Sequence, residues 1–273
     1  MVGREEGMTP SISFIIPAYN CAKFVEEAVL SIQDGNFEEG DELVITDDGS
    51  TDATASILRE LQARYPSIKL LKHDANKGIS AARNTAIVAA KNALIFNLDA
   101  DNALVPGSVS KLKAYLLRTD ADVAAFGEIH FFKNNVSRVT HHWVYKSGVI
   151  SLADCLTGRR TPLGNGNYLF TKESWVRAGG YPEFARTYEA VGFGWRQVAT
   201  GAKIVVMPKS FYFHRYGYAS NWVREGGPRQ ASRLLLKVLR PFFDLLIPED
   251  VEYIMSHKDQ WYADLRKRPI RVK

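Results

Sequence analysis

The chain of 273 residues has little cysteine, and Cys21 and Cys155 are the two it contains. Neither belongs to a C-x-x-C pair, so the sequence predicts neither a zinc knuckle nor a disulfide framework, and a reducing compartment fits best. Long apolar runs are missing too, and none approaches the ~18 residues of a membrane-spanning helix. The charged N-terminus MVGREEGMTP lacks the apolar centre of a signal peptide. We therefore expect a cytoplasmic protein.

Two common nucleotide-binding loops are also missing. No G-x-G-x-x-G follows the first predicted strand, which argues against a nicotinamide-type dinucleotide site. No G-x-x-x-x-G-K-[ST] is present, which excludes a P-loop. The formal net charge of +5 is weak evidence for an anionic ligand, and an ordinary basic surface explains it equally well. We expect no nucleic-acid partner.

The first half of the chain alternates strand-like and helix-like segments. Four compact apolar runs predict strands at 11–19, 42–48, 68–73 and 93–99, and helical spacing separates them. This alternation predicts an α/β domain with a mostly parallel sheet and helices on both faces. Beyond it, the sequence predicts a helix over 107–118, strands over 122–132 and 203–208, and a loop-rich stretch from about 133 to 230.

Polar residues follow three of the predicted strands. They are Pro17-Ala18-Tyr19-Asn20, Asp47-Asp48-Gly49-Ser50 and Asp99-Ala100-Asp101. In open α/β sheets, ligands bind outside the carboxyl ends of the strands. Clustered carboxylates there repel one another unless a cation compensates, and their hard oxygens suit Mg²⁺ or Mn²⁺. A lone D-x-D is equally typical of a capped turn, but its position after an apolar strand favours a metal and ligand site.

Four motifs in order resemble one enzyme family. IIPAYNCAKFVEEAVLSI, ELVITDDGSTDAT, NKGISAARNTAIVAA and IFNLDADNALVPGSV together resemble the family-2 inverting glycosyltransferases of the GT-A fold. A weaker likeness continues through 163–183 and 192–217, and the tail shows none. The resemblance implies a GT-A domain over 1–225, with a Rossmann-like, mostly parallel sheet. It comprises a nucleotide-binding half over 11–105 and an acceptor half over 106–225. We expect 226–273 to form a helical, basic appendage.

The resemblance also implies site residues. The nucleotide site would use Pro17, Ala18, Tyr19, Asp47, Asp48, Gly49, Lys77, Arg83 and Asp99. Gly49 would allow close approach of the nucleotide, and Lys77 and Arg83 would approach the base or the diphosphate. The metal, Mn²⁺ or Mg²⁺, would be bound by Asp101 with Asp99 beside it and His214 as a further ligand. The sugar and acceptor pocket would use Gly164, Asn165, Gly166, Asn167 and Trp195. Trp222 is a further aromatic candidate for stacking on a sugar, although core packing is an alternative for both tryptophans.

The resemblance implies a nucleotide-diphosphate-sugar donor, a UDP-sugar first, and a glycan or lipid-linked acceptor in polysaccharide synthesis. The acceptor hydroxyl needs a general base. Many relatives carry an acidic pair, often E-D, where this chain reads Glu189-Ala190. Glu189 is therefore the first candidate for the base and Glu183 the second. A solvated loop carboxylate is the alternative for Glu189. The missing acid also leaves open a weak enzyme or a catalytically silent binder of sugar nucleotides. A nucleotidyltransferase, which would release pyrophosphate, is a further alternative.

The tail after residue 257 is basic. It contains six lysines and arginines against two aspartates. Such a tail can dock on an anionic membrane surface, which would suit a lipid-linked acceptor. A solvated end or a contact within an oligomer are the alternatives. The sequence leaves the oligomeric state open.

Overall fold

The computed structural model describes residues 9–217 and 228–273. The strands are β1 Ile12–Ala18, β2 Glu42–Asp47, β3 Ile68–Lys72, β4 Leu94–Asn97, β5 Val123–Phe132, β6 His141–Val144, β7 Gly148–Ile150, β8 Leu169–Thr171 and β9 Ile204–Arg215. The α-helices are α1 Val25–Gln33, α2 Thr54–Arg64, α3 Ile79–Ala89, α4 Ser108–Arg118, α5 Leu152–Cys155, α6 Lys172–Arg177, α7 Glu189–Ala199, α8 Pro228–Leu239, α9 Pro248–Ser256 and α10 Trp261–Asp264. Short 3₁₀ helices cover Pro162–Asn165, Glu183–Tyr188 and Arg240–Leu245.

One mixed sheet forms the centre of the described structure. Its strand order is β3-β2-β1-β4-β8-β5-β9-β7, with β6 paired to β5. The first four strands are parallel, as predicted, and β8 runs antiparallel to both β4 and β5. Since β9 is parallel to β5, it also shares the direction of β4. The carboxyl ends of β1, β2, β4 and β9 therefore lie along the same edge of the sheet.

Burial explains why the first strands are apolar throughout. Every residue of β1 and β2 is buried, because helices cover both faces of a parallel sheet. The helical spacing between the first two predicted strands is confirmed, because α1 forms there with Val25, Ala28, Val29 and Ile32 all buried.

The stretch predicted to be loop-rich contains regular structure. It holds β6, β7, β8 and α5 to α7, and β9 extends to Arg215, well beyond the predicted 203–208. Strands of three or four residues are too short to show a period. The second half of β9 reads SFYFHR, in which polar and aromatic residues hide the strand pattern.

The C-terminal region is helical, as predicted, but its described part belongs to the main core. Trp261 is fully buried, and the core cluster runs through α8, α9 and α10 as well as the sheet. The predicted boundary at residue 225 and Trp222 lie outside the described residues. In the tail, Arg268 and Arg271 bind the buried Asp250, so two of the six basic residues stabilise the fold. Within residues 9–217 and 228–273, none of the helices has the length and apolar character needed to cross a membrane.

Candidate active site

The predicted polar strand ends do meet. Asp47 is the register partner of Ala18 across β1 and β2. Just beyond β4, the backbone N–H of Leu98 donates to Ile15 O at 3.0 Å, so Asp99 and Asp101 emerge beside β1. We define the strand-end site by Asp47, Asp99 and Asp101 together with the side chains bound to them.

The two aspartates after β2 have different environments. Asp48 accepts three hydrogen bonds, from Lys77 N at 2.9 Å, Gly78 N at 2.8 Å and His73 Nδ1 at 2.6 Å. It is 2% exposed and anchors the loop before α3, which corrects the expectation that it binds the nucleotide. Asp47 is equally buried, but its Oδ2 has no hydrogen-bond partner, while Oδ1 accepts from Ser50 N at 2.9 Å. Buried carboxylate oxygens are normally paired, so Asp47 Oδ2 is the atom here that lacks a donor.

Gly49 is required by the protein's own backbone. Its φ of +72° is in the left-handed region, and an added Cβ would lie 2.7 Å from Ala75 C. The loop at Ala75 is therefore one close neighbour that requires glycine here, and the predicted close approach of a nucleotide stays a prediction. Lys77 donates its backbone N–H to Asp48 and is exposed, so its ammonium is free to approach a ligand.

Tyr19 places an aromatic ring at this edge. It directly follows β1 and is 46% exposed, whereas its neighbours Pro17 and Ala18 are buried in the sheet. An exposed aromatic ring offers a stacking surface for a planar base. Of the three predicted residues, Tyr19 is the one whose side chain is accessible.

Asp99 is held by three neighbours. Its Oδ1 accepts from Arg83 Nη2 at 2.7 Å and Asn97 Nδ2 at 3.4 Å. Its Oδ2 accepts from Asn167 Nδ2 at 3.0 Å, and its backbone N–H donates to Asn167 Oδ1 at 2.8 Å. The side chain nevertheless remains 20% exposed, so the carboxylate keeps a face toward solvent.

Arg83 occupies the centre of this network. It is 1% exposed, and its three nitrogens donate to Asn97 Oδ1 at 3.2 Å, Glu189 Oε1 at 2.8 Å and Asp99 Oδ1 at 2.7 Å. Burial acts to lower the pKa of Arg83, but the two carboxylates raise it overall, so the guanidinium stays charged. The structure thus corrects the expectation that Arg83 approaches the base or the diphosphate. It positions Asp99 and Glu189 instead.

Asp101 is the carboxylate without a compensating partner. Burial and then the neighbouring Asp99 raise the pKa of Asp101 to about 7. Arg215 is close but donates to the backbone oxygen of Asp101 at 3.0 Å, and its Nη2 binds Glu27. Arg215 thus holds the backbone of Asp101 and its charge offsets part of the rise in pKa, but among the described residues no cation forms an ion pair within 4.0 Å of the Asp101 carboxylate.

His214 lies near the end of β9 and adjoins this loop. Ala103 and Phe213 exchange backbone hydrogen bonds at 3.0 and 2.9 Å, which brings the two segments together. Burial lowers the pKa of His214 against the opposing effect of Asp99, so the imidazole is neutral near pH 7. Asn102 bonds to Arg215 N through its Oδ1, so its Nδ2 donates to His214 Nδ1 at 3.3 Å. That bond places the imidazole proton on Nε2, so His214 has to lose this proton or turn its ring before either nitrogen can bind a metal, and its role as a metal ligand stays a prediction.

The donor set fits a hard divalent cation only when a ligand contributes. Within residues 9–217 and 228–273, no group of three His, Cys, Asp or Glu side chains is positioned to hold a metal alone. Asp101 and the exposed face of Asp99 supply two carboxylates, and Mg²⁺ typically takes one or two carboxylates plus substrate phosphates. Two carboxylates with an unpaired charge therefore fit Mn²⁺ or Mg²⁺ bound together with a diphosphate.

Of the predicted acceptor residues, Gly166 and Asn167 contact the strand-end site, and Gly164 and Asn165 contact Val191 and Tyr145. Gly166 has a φ of +74°, and an added Cβ would lie 3.2 Å from Arg83 Nη2. Its carbonyl accepts from Asn97 Nδ2 at 2.9 Å, so Gly166 and Asn167 both belong to the strand-end site. Asn165 donates to Tyr145 Oη at 2.7 Å, and Gly164 packs near Val191.

The prediction that Trp195 lines this pocket is wrong. Trp195 is 3% exposed, and its ring lies 6.2 Å from that of Trp261 and 6.0 Å from that of Tyr262. A helical residue packed against the C-terminal segment cannot also face a ligand. Core packing, the alternative predicted from the sequence for this tryptophan, is the role it has. The family resemblance does not extend to the tail, so it could not identify Trp261 and Tyr262 as the partners.

The two candidate bases lie in different places. Glu189 begins α7, is 7% exposed, and joins the strand-end site through Arg83. Glu183 is exposed and accepts from Asn84 Nδ2 at 3.3 Å. Asn84 also binds Tyr181 and Trp175, so Glu183 belongs to a separate set of contacts. The structure therefore connects Glu189, but not Glu183, to Asp99.

Three residues of the site are not predicted from the sequence. Asn97 ends β4 and falls inside the predicted strand, although an amide in an apolar run is a usable signal. Arg215 and His73 carry no recognisable signal, because the first follows His214 within a strand and the second ends a predicted strand. Each is bound to a loop that is distant in sequence.

Comparison with known proteins identifies the family of this chain. The model of the family described as Glycosyl transferase family 2 matches residues 13–177. Chondroitin synthase from Escherichia coli is 40% identical over 100 residues, which is 37% of this chain and 14% of that protein. The chain spans less than half the length of the curated relatives it matches.

Solved structures share the fold. S. aureus TarS 1-349 in complex with UDP-GlcNAc has a TM-score of 0.71 at 18% identity, covering 93% of this chain and 71% of that one. The mannosyltransferase PcManGT from Pyrobaculum calidifontis, in complex with GDP-Man and Mn²⁺, has a TM-score of 0.63 at 19% identity. That match covers 94% of this chain and 70% of the other. The likeness identifies the fold as GT-A.

Proposed function

Because the chain belongs to glycosyl transferase family 2, we propose that it transfers a sugar from a nucleotide-diphosphate sugar to a hydroxyl group, with inversion at the anomeric carbon. One observation carries the proposal. Asp99 and the unpaired Asp101 follow β4 at the same sheet edge as the buried, unpartnered Oδ2 of Asp47. A single ligand could serve both places: an N–H of its base would donate to Asp47 Oδ2, and its diphosphate would lie beside Asp99 and Asp101 together with the cation.

We propose UDP as the nucleotide. Uracil carries a ring N–H that can donate to Asp47 Oδ2, and the exposed ring of Tyr19 is available to stack on the base. Lys77, which is exposed at the same edge, supplies a positive charge for the diphosphate. The structural neighbours support nucleotide sugars in general, since one is a complex with UDP-GlcNAc and another with GDP-Man.

Asp101 and Asp99 would hold the metal. Bound there, Mn²⁺ or Mg²⁺ supplies Lewis-acid stabilisation of the charge that develops on the departing diphosphate. The chain's own contribution is positional: Arg83 and Asn167 hold Asp99, and Arg215 holds the backbone of Asp101. The Mn²⁺ complex of the mannosyltransferase neighbour supports this assignment.

Glu189 is our proposed general base. Its Oε1 is bound by Arg83, which leaves Oε2 to accept the proton of the acceptor hydroxyl. The same guanidinium holds Asp99, so donor side and acceptor side are fixed relative to each other through one residue. A positioned base typically contributes ~10²–10⁴ in rate.

Release of UDP tests the proposal. We expect the protein, mixed with UDP-sugars and Mn²⁺, to release UDP faster in the presence of glycan acceptors. A thermal-shift panel of UDP-, GDP-, CMP- and dTDP-sugars, each with and without Mn²⁺, identifies the donor. If pyrophosphate rather than UDP is released, the protein is a nucleotidyltransferase. If no nucleotide sugar raises the melting temperature, the proposal is wrong.

A second function is favoured by one specific observation. Ala190 stands where many relatives carry the second acid, and the remaining acid, Glu189, is bound to Arg83. The arrangement also fits a catalytically silent protein that binds a sugar nucleotide. Such a protein would bind UDP with metal, yet release no UDP from any UDP-sugar. Polysaccharide synthesis as the setting, a lipid-linked acceptor and membrane docking by the tail remain predictions.

A further inference from the structure

A separate cavity lies beside the acceptor half of the strand-end site. Its volume is about 860 Å³, within the ~300–1,000 Å³ usual for small-molecule sites. The segment from the end of β6 to β7, together with α5 and the loop before Pro162–Asn165, lines it, and Arg266 of the C-terminal segment completes the wall. None of the residues expected from the sequence to bind donor or acceptor lines this cavity.

The lining is strongly basic. Lys146, Arg159, Arg160 and Arg266 line it together with one acid, Asp154, which leaves an excess of three positive charges. The carboxylate of Asp154 is already engaged. Its Oδ2 accepts from Ser151 N at 2.9 Å and Ser151 Oγ at 2.7 Å in the capping box of α5. Its Oδ1 lies 3.6 Å from Lys146 Nζ.

The three arginines are not neutralised by the protein. In the described part of the chain, no carboxylate lies within 4.0 Å of Arg159, Arg160 or Arg266. Two of them are held by neutral groups instead. Arg160 lies over the Trp143 ring at 3.7 Å, and Arg266 Nε donates to Gly158 O at 3.1 Å. Positioned guanidinium groups without a partner are suited to binding carboxylate or phosphate in a bidentate way.

Three hydrogen bonds join the cavity to the strand-end site. Tyr145 lines the cavity, and its hydroxyl accepts from Asn165 Nδ2 at 2.7 Å. Asn165 O accepts from Asn167 Nδ2 at 2.6 Å, and that amide also donates to Asp99 Oδ2 at 3.0 Å. These bonds connect one wall of the cavity to the residues that hold Asp99, so the cavity lies on the acceptor side of the strand-end site.

We propose that this cavity binds an anionic group of the acceptor, a carboxylate or a phosphate, and so selects an acidic glycan over a neutral one. The inference rests on the proposed function, because it assumes that the strand-end site transfers a sugar. The two anions have different sources: a uronic acid supplies the carboxylate, and a polyol phosphate chain supplies the phosphate. An acidic acceptor also explains why the basic side chains face this cavity without acidic partners.

The test uses three probes on the full chain at a fixed ionic strength. They are an oligosaccharide containing uronic acids, the same oligosaccharide after reduction of its carboxyl groups, and an oligomer of glycerol phosphate. Calorimetry measures each affinity for the wild-type protein, for Arg159→Gln/Arg160→Gln, and for the control Arg59→Gln/Arg64→Gln. The control removes two exposed arginines from α2, which flanks the opposite end of the sheet.

We expect one anionic probe to bind the wild-type protein at least tenfold tighter than the reduced oligosaccharide. The cavity variant should lose that preference and the α2 control should keep it, with unchanged melting curves because all four arginines are exposed. Preference for the uronic acid probe identifies a carboxylate, and preference for the glycerol phosphate oligomer identifies a phosphate. Equal affinity for all three probes, or equal loss in both variants, overturns the inference.

Binding of UDP with Mn²⁺ separates this inference from the proposed function. We expect the cavity variant to bind UDP with wild-type affinity, since neither arginine contacts the strand-end site. A wild-type protein that binds the anionic probe but no nucleotide would refute the proposed function and leave the cavity assignment intact. A protein that binds UDP but binds no anionic probe in preference to the reduced oligosaccharide would refute the cavity assignment and leave the proposed function intact.

Discussion

Asn167 and Asp99 form a reciprocal pair across 68 residues of sequence. Asn167 Oδ1 accepts from the Asp99 backbone N–H at 2.8 Å, and Asn167 Nδ2 donates to Asp99 Oδ2 at 3.0 Å. One buried amide thus fixes both the backbone and the side chain of the residue that follows β4. The pair is a direct contact between the acceptor half and the side chain of Asp99, one of the two carboxylates proposed to hold the metal.

Replacing Asn167 with alanine should affect both stability and ligand binding. The buried N–H of Asp99 would lose its acceptor, which typically costs ~1–3 kcal/mol. We expect a loss of that size in the free energy of unfolding, measured with urea, and weaker binding of UDP with Mn²⁺ by calorimetry. Asn135→Ala serves as control, because Asn135 makes a local turn bond to Ser137 N at the surface. Equal effects of the two substitutions would contradict the role of the pair.

Asp101 should make the metal-free protein less stable. Its pKa of about 7 exceeds that of an unfolded aspartate, about 3.9. Between these values the folded protein holds a proton that the unfolded chain has released, so stability falls as the pH rises through this window. Above pH 7 the full loss in the free energy of unfolding is present, and Asp101→Asn should remove that loss. We expect a melting temperature raised by roughly 2–8 °C at pH 8 and little changed at pH 4.

The same substitution should abolish metal-dependent binding of UDP. Calorimetry with Mn²⁺ and with chelator gives the comparison, and Asp74→Asn, at an exposed position nearby in the β3–α3 loop, is the control. A variant that keeps metal-dependent UDP binding would disprove the role of Asp101. A melting temperature that stays unchanged at pH 8 would instead show that its charge is compensated in solution.

The sheet edge was predictable from the sequence because long buried strands show a clear apolar pattern. β1, β2 and β4 are strands of that kind, so the pattern of apolar residues was enough to locate Asp47, Asp99 and Asp101 at their carboxyl ends. Roles within the site were harder to predict. Asp47 and Asp48 are adjacent and chemically identical, and only the loop before α3 distinguishes them by binding one.

Long-range contacts account for most of the errors. Arg83 lies in a correctly predicted helix, but its burial depends on Glu189, which is 106 positions further along the chain. Trp195 is buried because Trp261 and Tyr262 pack on it, and the tail that contains them lies outside the motifs on which the family resemblance rests. Spacing along a sequence reports local structure and carries little information about such partners.

Asp47 and Asp48 should respond differently to the same substitution. Asp48→Asn keeps one oxygen but replaces the other with an amide that donates, so at least one of the three donors loses its acceptor and we expect a loss in the free energy of unfolding of about 1–3 kcal/mol. Asp47→Asn keeps an oxygen for Ser50 N but replaces the unpartnered Oδ2, so stability should change little while UDP affinity falls about tenfold or more. Urea denaturation and calorimetry on both variants check the two halves of this prediction. The reverse pattern would assign the nucleotide contact to Asp48.

Glu189→Gln separates the proposed base from a purely structural role. Glutamine keeps an oxygen that can accept from Arg83 Nη1, as Glu189 Oε1 does at 2.8 Å, so the network around Asp99 should persist. What it removes is the carboxylate oxygen available for a proton. We expect turnover to fall by ~10²–10⁴ while affinity for the UDP-sugar stays within about threefold, because the base makes no contact on which donor binding depends.

Glu183→Gln is the matched control, since Glu183 is an exposed glutamate bound to Asn84, apart from the Asp99 network. It should leave turnover close to that of the wild type. Single-turnover release of UDP from the donor, with the acceptor at saturation, measures the chemical step for both variants. An active Glu189→Gln enzyme would show that Glu189 only holds Arg83 in place, and a larger loss in Glu183→Gln would move the base to that residue.

If the wild-type protein itself releases no UDP, Ala190→Asp restores the second acid that many relatives carry. A gain of activity in that variant would identify this protein as a silent binder whose missing base lies at residue 190.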